Sequence, residues 1–312
     1  MEIDRLITHY KTNYSRKIFL NKLLGEMQHA YIMYVYDYDS ELENFKKTFW
    51  HYLPFYVRNT DYFETLDENS DIDSQLLERS IRMRKNSKII PHRKIEADGI
   101  YGELFLDFYL RIVNSRASLI TYANKRSYAS NQESTGPDNL VYYIDNNGEM
   151  NICICEAKFV GGATNAKTSI IEDIVGDQAQ SNNVSKKPAH VSEPYLNQYI
   201  SFVVEKGCDV KEPDKSKFKT FFDDLNKQLD IGNDFVSIMI EHNICINFIF
   251  FAIFDSKQRD PEKLKTHYEE IYNKCEQNVN IIGFKNYKIE IVFIPTEKSS
   301  MEIKSAIEEL YE

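Results

Sequence analysis

Apolar residues recur along the chain with two different periods, which together predict strands that alternate with helices. Runs rich in β-branched and aromatic residues predict strands at residues 117–123, 139–145, 151–155, 244–254 and 288–294. Apolar stripes at helical spacing predict helices at residues 103–113, 166–179 and 218–229. The first of these helices is apolar around most of its circumference, so we expect it to be buried on several sides.

Polar residues mark the starts of two more helices near the end of the chain. Asp260 followed by Pro261 is typical of a helix start, because the carboxylate caps free amide groups and proline suits the first helical position. Ser299 and Glu302 have the spacing of a capping box. The order of strands and helices predicts an α/β fold, in which helices flank a mixed sheet.

The first 94 residues differ from the rest because they are predicted to be mainly helical and are rich in aromatic residues. Their aromatic side chains pack in a core or against a partner, or form a platform on which bases stack; the candidates are Tyr31, Tyr34, Tyr36 and Tyr38. We therefore divide the chain into a mostly helical region at residues 1–94 and an α/β domain at residues 95–312.

Composition narrows the class of protein. The chain has 312 residues, of which 48 are acidic and 38 basic, and a formal net charge of -10. This balance argues against tight unaided binding to nucleic acid, because phosphate contacts need Lys and Arg. Five cysteines without paired spacing, and the lack of a signal-peptide pattern or a bilayer-length apolar run, predict a cytoplasmic protein with reduced thiols and no membrane association.

The charge is distributed unevenly. Seven basic residues and no acidic residue lie between Arg79 and Lys94. This segment is either a solvated helix face followed by a basic loop, or a strip that contacts phosphates beside an active site. On the second interpretation the candidate DNA contacts are Arg82, Arg84 and Lys85, with Lys125 and Arg126 as a further pair.

A predicted hairpin gathers the candidate catalytic residues. Asn147-Gly148, between the strands at 139–145 and 151–155, is typical of a tight turn. The hairpin would bring Asp138 and Glu156 to the same end of neighbouring strands. Lys158 lies two residues after Glu156, so both side chains point to the same face. Charged groups at the end of an apolar strand are costly to bury without a purpose.

Two carboxylates and an ammonium suit a hard divalent metal that activates water against a phosphodiester. Asp138 and Glu156 would bind Mg²⁺ or Mn²⁺, with the backbone carbonyl of Ala157 as a further ligand. Lys158 would orient or help deprotonate the water and offset charge on the phosphate. Glu103 is the candidate third carboxylate, and Asp107 a weaker substitute for it. The simpler alternatives are a structural Glu156–Lys158 ion pair and a surface Glu103 favoured by the helix dipole.

The same residues carry a resemblance to a known family. Pro137-Asp138 and Glu156-Ala157-Lys158 resemble the motif of the PD-(D/E)xK nuclease superfamily. More narrowly, Gly102-Glu103-Leu104, Gly136-Pro137-Asp138, Cys155-Glu156-Ala157-Lys158-Phe159 and residues 289–298 resemble HamA, the nuclease subunit of Hachiman antiphage defence, and its relative AbpA. One position departs from the pattern, because Cys155 stands where the family usually has glycine.

This resemblance implies a restriction-endonuclease-like core that cuts DNA with a divalent metal. It also implies a partner helicase, HamB, which restrains the nuclease until phage-associated DNA engages the complex. By position, the resemblance assigns the catalytic set to Asp138, Glu156 and Lys158, with Glu103 as the helix glutamate. We expect the aromatic N-terminal region to dock the partner. The alternatives are a stand-alone restriction or repair endonuclease, and a binding module with a nuclease-like fold.

Overall fold

The computed structural model describes residues 3–19, 21–24, 31–35, 40–57, 66–67, 69–86, 99–114, 138–144, 149–176, 189, 191–194, 196–197, 220, 223–225, 227–228, 231–257 and 260–309. The strands are β1 (Asn21–Leu24), β2 (Tyr31–Val35), β3 (Asn139–Ile144), β4 (Met150–Val160), β5 (Cys245–Asp255) and β6 (Tyr287–Thr296). The α-helices are α1 (Ile3–Tyr10), α2 (Arg16–Ile18), α3 (Glu41–Val57), α4 (Ile72–Asn86), α5 (Ile100–Phe108), α6 (Ala163–Val175), α7 (Phe235–Glu241), α8 (Pro261–Ile282) and α9 (Ser300–Glu308). Short π-helical segments follow α1 and α5, at Lys11–Ser15 and Tyr109–Val113.

The six described strands form one mixed sheet in the order β1-β2-β6-β5-β4-β3. The four inner strands, β2, β6, β5 and β4, run parallel, while β1 and β3 pair antiparallel at the two edges. This arrangement confirms the predicted α/β class and the predicted strands at 139–145, 151–155, 244–254 and 288–294. The strand predicted at 117–123 lies outside the described residues.

Helices cover both faces of the sheet, and the alternation of side chains along β4 shows how. Cys153, Cys155, Ala157 and Phe159 belong to a core shared with α3 and α5. Ile152 and Ile154 point to the opposite face, where α6 and α8 cover them. Because successive residues of a strand alternate between faces, Glu156 and Lys158 lie on the α6 face.

The helix predicted at 103–113 is observed as α5 and its π-helical extension, and it is buried on several sides. Leu104, Phe105 and Phe108 are fully buried, and burying a side chain of this size contributes roughly 1.5–3 kcal/mol. The helix predicted at 166–179 is observed as α6. Both predicted helix starts are confirmed, since Asp260 caps α8 and Ser299 with Glu302 forms the capping box of α9.

The N-terminal region contains the predicted helices, but it also contributes strands to the central sheet. β2 pairs in parallel with β6, and β1 extends the sheet beyond it. These strands were not predicted from the sequence, because each is short and β2 pairs with β6 near the other end of the chain. Tyr31 and Tyr34 lie in β2, whereas Tyr36 and Tyr38 fall outside the described residues.

The aromatic residues of α3 are core residues. Phe49, Trp50, Tyr52 and Tyr56 are almost completely buried and share a core with α5. These side chains are therefore unavailable for a partner, and any docking role of this region belongs to its surface. The boundary predicted near residue 94 lies outside the described residues.

Candidate active site

The β3–β4 hairpin brings Asp138 beside the Glu156-Ala157-Lys158 segment. The strands pair antiparallel, with Asn139 opposite Cys155, which confirms the predicted hairpin register. Asp138 stands just before β3 begins, and its Oδ2 atom accepts a hydrogen bond of 2.7 Å from the backbone N–H of Ala157. Just outside β3, the Asp138 side chain therefore accepts a β4 amide hydrogen bond in place of a backbone carbonyl.

This hydrogen bond also fixes the direction of the Ala157 carbonyl. The N–H and C=O groups of one strand residue point to the same neighbouring strand. Since the N–H of Ala157 points toward Asp138, its carbonyl oxygen faces the same edge. The Asp138 carboxylate and the Ala157 carbonyl therefore lie on the same side of β4, as a shared metal site requires.

Glu156 and Lys158 form an ion pair on the α6 face of β4. Glu156 is 3 % exposed, and its Oε2 atom lies 3.7 Å from Lys158 Nζ. Lys158 Nζ also forms a close ion pair with Asp173 of α6, a residue that is itself buried. The lysine is thus held between a carboxylate of its own strand and one of the covering helix.

The charge on Lys158 follows from these neighbours. Burial by itself lowers the pKa of the ammonium group, but the negative charges of Glu156, Asp138 and Asp173 outweigh burial and raise the pKa above its ordinary value. Lys158 is therefore a cation at neutral pH. This favours charge compensation over proton abstraction as its role.

Asp173 is a site residue that was not predicted from the sequence. A signal for it exists, because Asp173 lies three residues after Ile170 and next to Ile174, within the apolar stripe of α6. A single acid inside an apolar helix stripe indicates a buried charge that needs a partner.

Glu103 is placed differently from the other candidates. It lies in α5, which covers the face of β4 opposite to Glu156 and Lys158. Its Oε2 atom accepts a hydrogen bond of 2.9 Å from the hydroxyl of Tyr56 in α3. The helix approaches the motif closely, since a Cβ atom at Gly102 would lie 3.4 Å from Ala157 Cβ. Glu103 is thus next to the helix residue that touches the motif, and its role as a metal ligand stays a prediction.

Asp107 has other partners, which exclude it as a substitute metal ligand in this conformation. Its Oδ1 atom accepts a hydrogen bond from Asn139 at 3.1 Å. Its Oδ2 atom accepts one from the Tyr52 hydroxyl at 2.7 Å and lies 3.0 Å from Arg111 Nε. Both oxygens are therefore committed to a network within the protein.

The candidate ligands for Mg²⁺ or Mn²⁺ are oxygen atoms of Asp138, Glu156 and Ala157. Among the residues that the structure describes, no three His, Cys, Asp or Glu side chains are grouped so that they could hold a metal ion. Glu156 and Ala157 lie inside β4, which continues to Val160, and not at the strand end that the sequence predicted. Beside the start of β3, Asp138, Glu156 and the Ala157 carbonyl nevertheless provide two carboxylates and a carbonyl, and a hard divalent cation prefers oxygen ligands of this kind. The set fits a cation that keeps some of its water.

The candidate DNA contacts divide into described and undescribed residues. Arg82 is exposed on α4 and forms an ion pair with Glu78 one turn away. Arg84 and Lys85 lie in the last turn of the same helix. Lys125 and Arg126 lie outside the described residues. Exposed arginine is compatible with phosphate contact, but a solvated helix face has the same appearance, so both interpretations stay open.

Comparisons with known proteins add one match. A model of the HamA family matches residues 9–310. No curated protein and no solved structure matches the chain. Within the described residues, no helix combines the length and the apolar character that crossing a bilayer requires.

Proposed function

The chain belongs to the HamA family, whose model matches nearly its whole length, and from this premise we propose that it is a metal-dependent DNA endonuclease. Membership of the family implies a role in Hachiman antiphage defence. The nuclease activity, the metal and the partner are proposals that rest on the site described above.

The single observation that carries the proposal is the hydrogen bond between the Asp138 carboxylate and the Ala157 N–H. It joins the two halves of the motif, which lie 19 residues apart in sequence, at the end of one hairpin. Without it, Glu156 and Lys158 alone could be a structural ion pair. With it, a second acid stands beside a buried acid and a partly buried lysine.

Asp138, Glu156 and the carbonyl of Ala157 would hold the metal. When bound, a divalent cation in such a site neutralises charge on a scissile phosphate and lowers the pKa of a coordinated water. Glu103 would contribute from α5, directly or through a water, if the helix shifts or its side chain turns away from Tyr56.

Lys158 supplies the positive charge of the site. Its ammonium group lies within ion-pair distance of Glu156 and Asp173, which fixes its position without a substrate. A fixed cation can stabilise charge that develops on the phosphate in the transition state. Asp173 then acts through Lys158, by holding the ammonium group where the phosphate would approach.

The fold is consistent with a restriction-endonuclease-like core of the PD-(D/E)xK superfamily. A mixed sheet with helices on both faces carries the site on an edge hairpin, and a helix with a glutamate packs against the same strand. This assignment rests on the motif and its placement.

A partner helicase of the HamB type would deliver the DNA. The chain is acidic, with a net charge of -10, so tight DNA binding by itself is unfavourable. An indiscriminate nuclease that depends on a partner for DNA affinity would spare the host genome. Tight, salt-insensitive DNA binding by the isolated chain would contradict this part of the proposal.

The test compares wild type with Glu156→Gln, and uses Glu172→Gln as a matched control because Glu172 is an exposed acid on α6. Each protein is co-purified with its partner and incubated with DNA and Mg²⁺ or Mn²⁺, with and without EDTA. We expect wild type and Glu172→Gln to cut DNA, EDTA to stop cleavage, and Glu156→Gln to lose activity by more than about 100-fold.

The same assay separates the alternatives. Cleavage by the isolated chain with a sequence preference would favour a stand-alone restriction or repair endonuclease. Complex formation without cleavage, under all metal conditions, would favour a binding module. Full activity in folded Glu156→Gln would place the chemistry elsewhere in the molecule.

A further inference from the structure

Behind the candidate active site lies a buried polar network centred on Asp107. Asp107 is 1 % exposed and Asn139 is 2 % exposed. The Asp107 carboxylate contacts Tyr52 of α3, Arg111 of the π-helical segment after α5, and Asn139 of β3. Three separate segments of the chain therefore meet at one carboxylate.

Such a network is costly to bury. Removing a carboxylate from water is unfavourable unless hydrogen bonds and an opposite charge compensate. Here Arg111 provides the opposite charge, and its guanidinium group also lies 5.3 Å from the centre of the Phe55 ring. Arg111 and Tyr52 already offset the cost of burying the Asp107 carboxylate. The contact with Asn139 adds a constraint on the position of β3.

This constraint acts at the start of β3. Asn139 is the first residue of β3 and directly follows Asp138. Because a carboxylate only accepts hydrogen bonds, the amide nitrogen of Asn139 must face Asp107. The side chain of Asn139 is thereby fixed to α5, while its backbone is paired with Cys155 of β4. The residue before it has little freedom to move.

We propose that Asp107 and Asn139 are positioning residues that hold Asp138 against Ala157. This inference rests on the proposed function, in which Asp138 is a metal ligand. Asn139 ties the start of β3 to α5, the same helix that packs closely over Ala157 at Gly102, where an added Cβ atom would lie 3.4 Å from Ala157 Cβ. Helix α5 therefore contacts the chain on both sides of the Asp138–Ala157 hydrogen bond.

The two hydrogen bonds on Asp107 allow a matched comparison. Asn139→Ala removes the hydrogen bond to Asp107 Oδ1, which connects Asp107 to β3. Tyr52→Phe removes the hydrogen bond to Asp107 Oδ2, which connects Asp107 to α3. Each variant removes one neutral donor from the same buried carboxylate and leaves Arg111 in place. A network that only supports the fold should respond similarly to both changes.

Two measurements are made on each full-length protein. The first is amide hydrogen exchange at Ala157, measured without metal or DNA, because this N–H donates to Asp138. The second is DNA cleavage as a function of Mg²⁺ concentration, measured with the partner present. Melting temperatures show that the variants are folded.

We expect Asn139→Ala to accelerate exchange at Ala157 by about tenfold, as the loss of a charge-assisted hydrogen bond predicts. It should also slow cleavage by roughly 10- to 100-fold, since displacement of a catalytic group by about 1 Å has effects of this size. The Mg²⁺ concentration for half-maximal cleavage should rise. Tyr52→Phe should change exchange and Mg²⁺ dependence less than about twofold, even with a similar loss of melting temperature.

Other outcomes overturn the inference. Unchanged exchange at Ala157 in Asn139→Ala shows that Asn139 does not hold Asp138. Equal effects of the two variants show that the network acts on the fold alone, and faster exchange with unchanged cleavage shows that the position of Asp138 is irrelevant to rate. If wild type does not cut DNA, the proposed function fails, while the exchange measurement still decides whether Asn139 positions Asp138.

Discussion

Lys158 of β4 and Asp173 of α6 form a close ion pair at the candidate site. The side chain of Asp173 is 9 % exposed and that of Lys158 is 20 % exposed, so water screens their attraction poorly. Asp173 comes from a helix that is separated from β4 only by a glycine turn. The position of Lys158 therefore depends on how α6 docks on the sheet.

Asp173→Asn should weaken both the fold and the proposed activity. It removes one of the two carboxylates paired with Lys158, and a charge-assisted hydrogen bond contributes about 1.5–3 kcal/mol. We expect the free energy of unfolding in urea to fall by an amount of this order, and cleavage to slow by about tenfold. Glu172→Gln, an exposed neighbour, should change stability by less than about 0.5 kcal/mol. Equal effects of the two variants would contradict a role for Asp173 in holding Lys158.

A second residue-scale prediction concerns acid stability. Asp73 Oδ1 lies 2.7 Å from His9 Nε2. This hydrogen bond, together with one from Tyr14, lowers the pKa of the Asp73 carboxyl to about 2, although partial burial opposes the shift. A carboxyl with a lowered folded pKa stabilises the protein above its unfolded pKa of about 3.9, and this contribution disappears as the pH falls toward the folded value.

We therefore expect the Tm of wild type to exceed that of Asp73→Asn at pH values above about 4, with the difference narrowing between about pH 4 and pH 2. Differential scanning calorimetry across this range measures the difference directly. A gap in Tm that stays constant down to about pH 2 would show that the ionised form of Asp73 is not the stabilising species.

At the scale of elements, the sequence predicts a helix or strand when its apolar periodicity or its cap residues lie within the element itself. The strands β3 to β6 and the helices α5, α6, α8 and α9 were predicted because their apolar periods and caps lie within each segment. β1 and β2 were not, since a short strand is defined by its partner. Asp138, Glu156 and Lys158 were brought together correctly because a hairpin is a local structure. Asp173 and Asn139 were missed because their partners, Lys158 and Asp107, lie on other elements of the fold, and no local period or cap residue reports such a pairing.

The packing of α5 on β4 gives a prediction for Gly102. A Cβ atom there would lie 3.4 Å from Ala157 Cβ and 3.5 Å from the backbone nitrogen of Phe159, which is ordinary contact. Gly102→Ala should keep or raise stability, because alanine favours a helix by up to about 1 kcal/mol over glycine. Gly102→Val adds methyl groups that the strand cannot accommodate and should cost about 1–3 kcal/mol. Urea unfolding of both variants provides the measurement. Equal stability of the two would show that α5 is free to move away from the motif.

At the scale of the whole molecule, residues 1–94 and the rest of the chain are structurally interdependent. Phe45 packs edge-to-face on Phe105, with ring centres 5.1 Å apart, and lies 6.3 Å from Phe159 of β4. Trp50 Nε1 donates a hydrogen bond of 2.7 Å to the backbone oxygen of Ile307 in α9. Residues 1–94 were predicted as a separate region because their composition differs, but composition does not report which elements share a core.

This interdependence changes how a docking role of the N-terminal region can be tested. A chain reduced to residues 95–312 would expose the apolar side chains of α5 that now face α3, and it would leave β6 without its β2 partner. We expect this fragment to lack the near-ultraviolet circular dichroism of a packed core and to unfold without a cooperative transition. Its failure to bind the helicase would then report unfolding rather than a lost docking surface.

Full-length variants at exposed positions of α4, such as Arg82→Glu, test docking instead, because their side chains lie outside the core. A fragment of residues 95–312 that melts sharply and keeps its aromatic signal would show that the shared core is dispensable and would restore the deletion as a valid docking experiment.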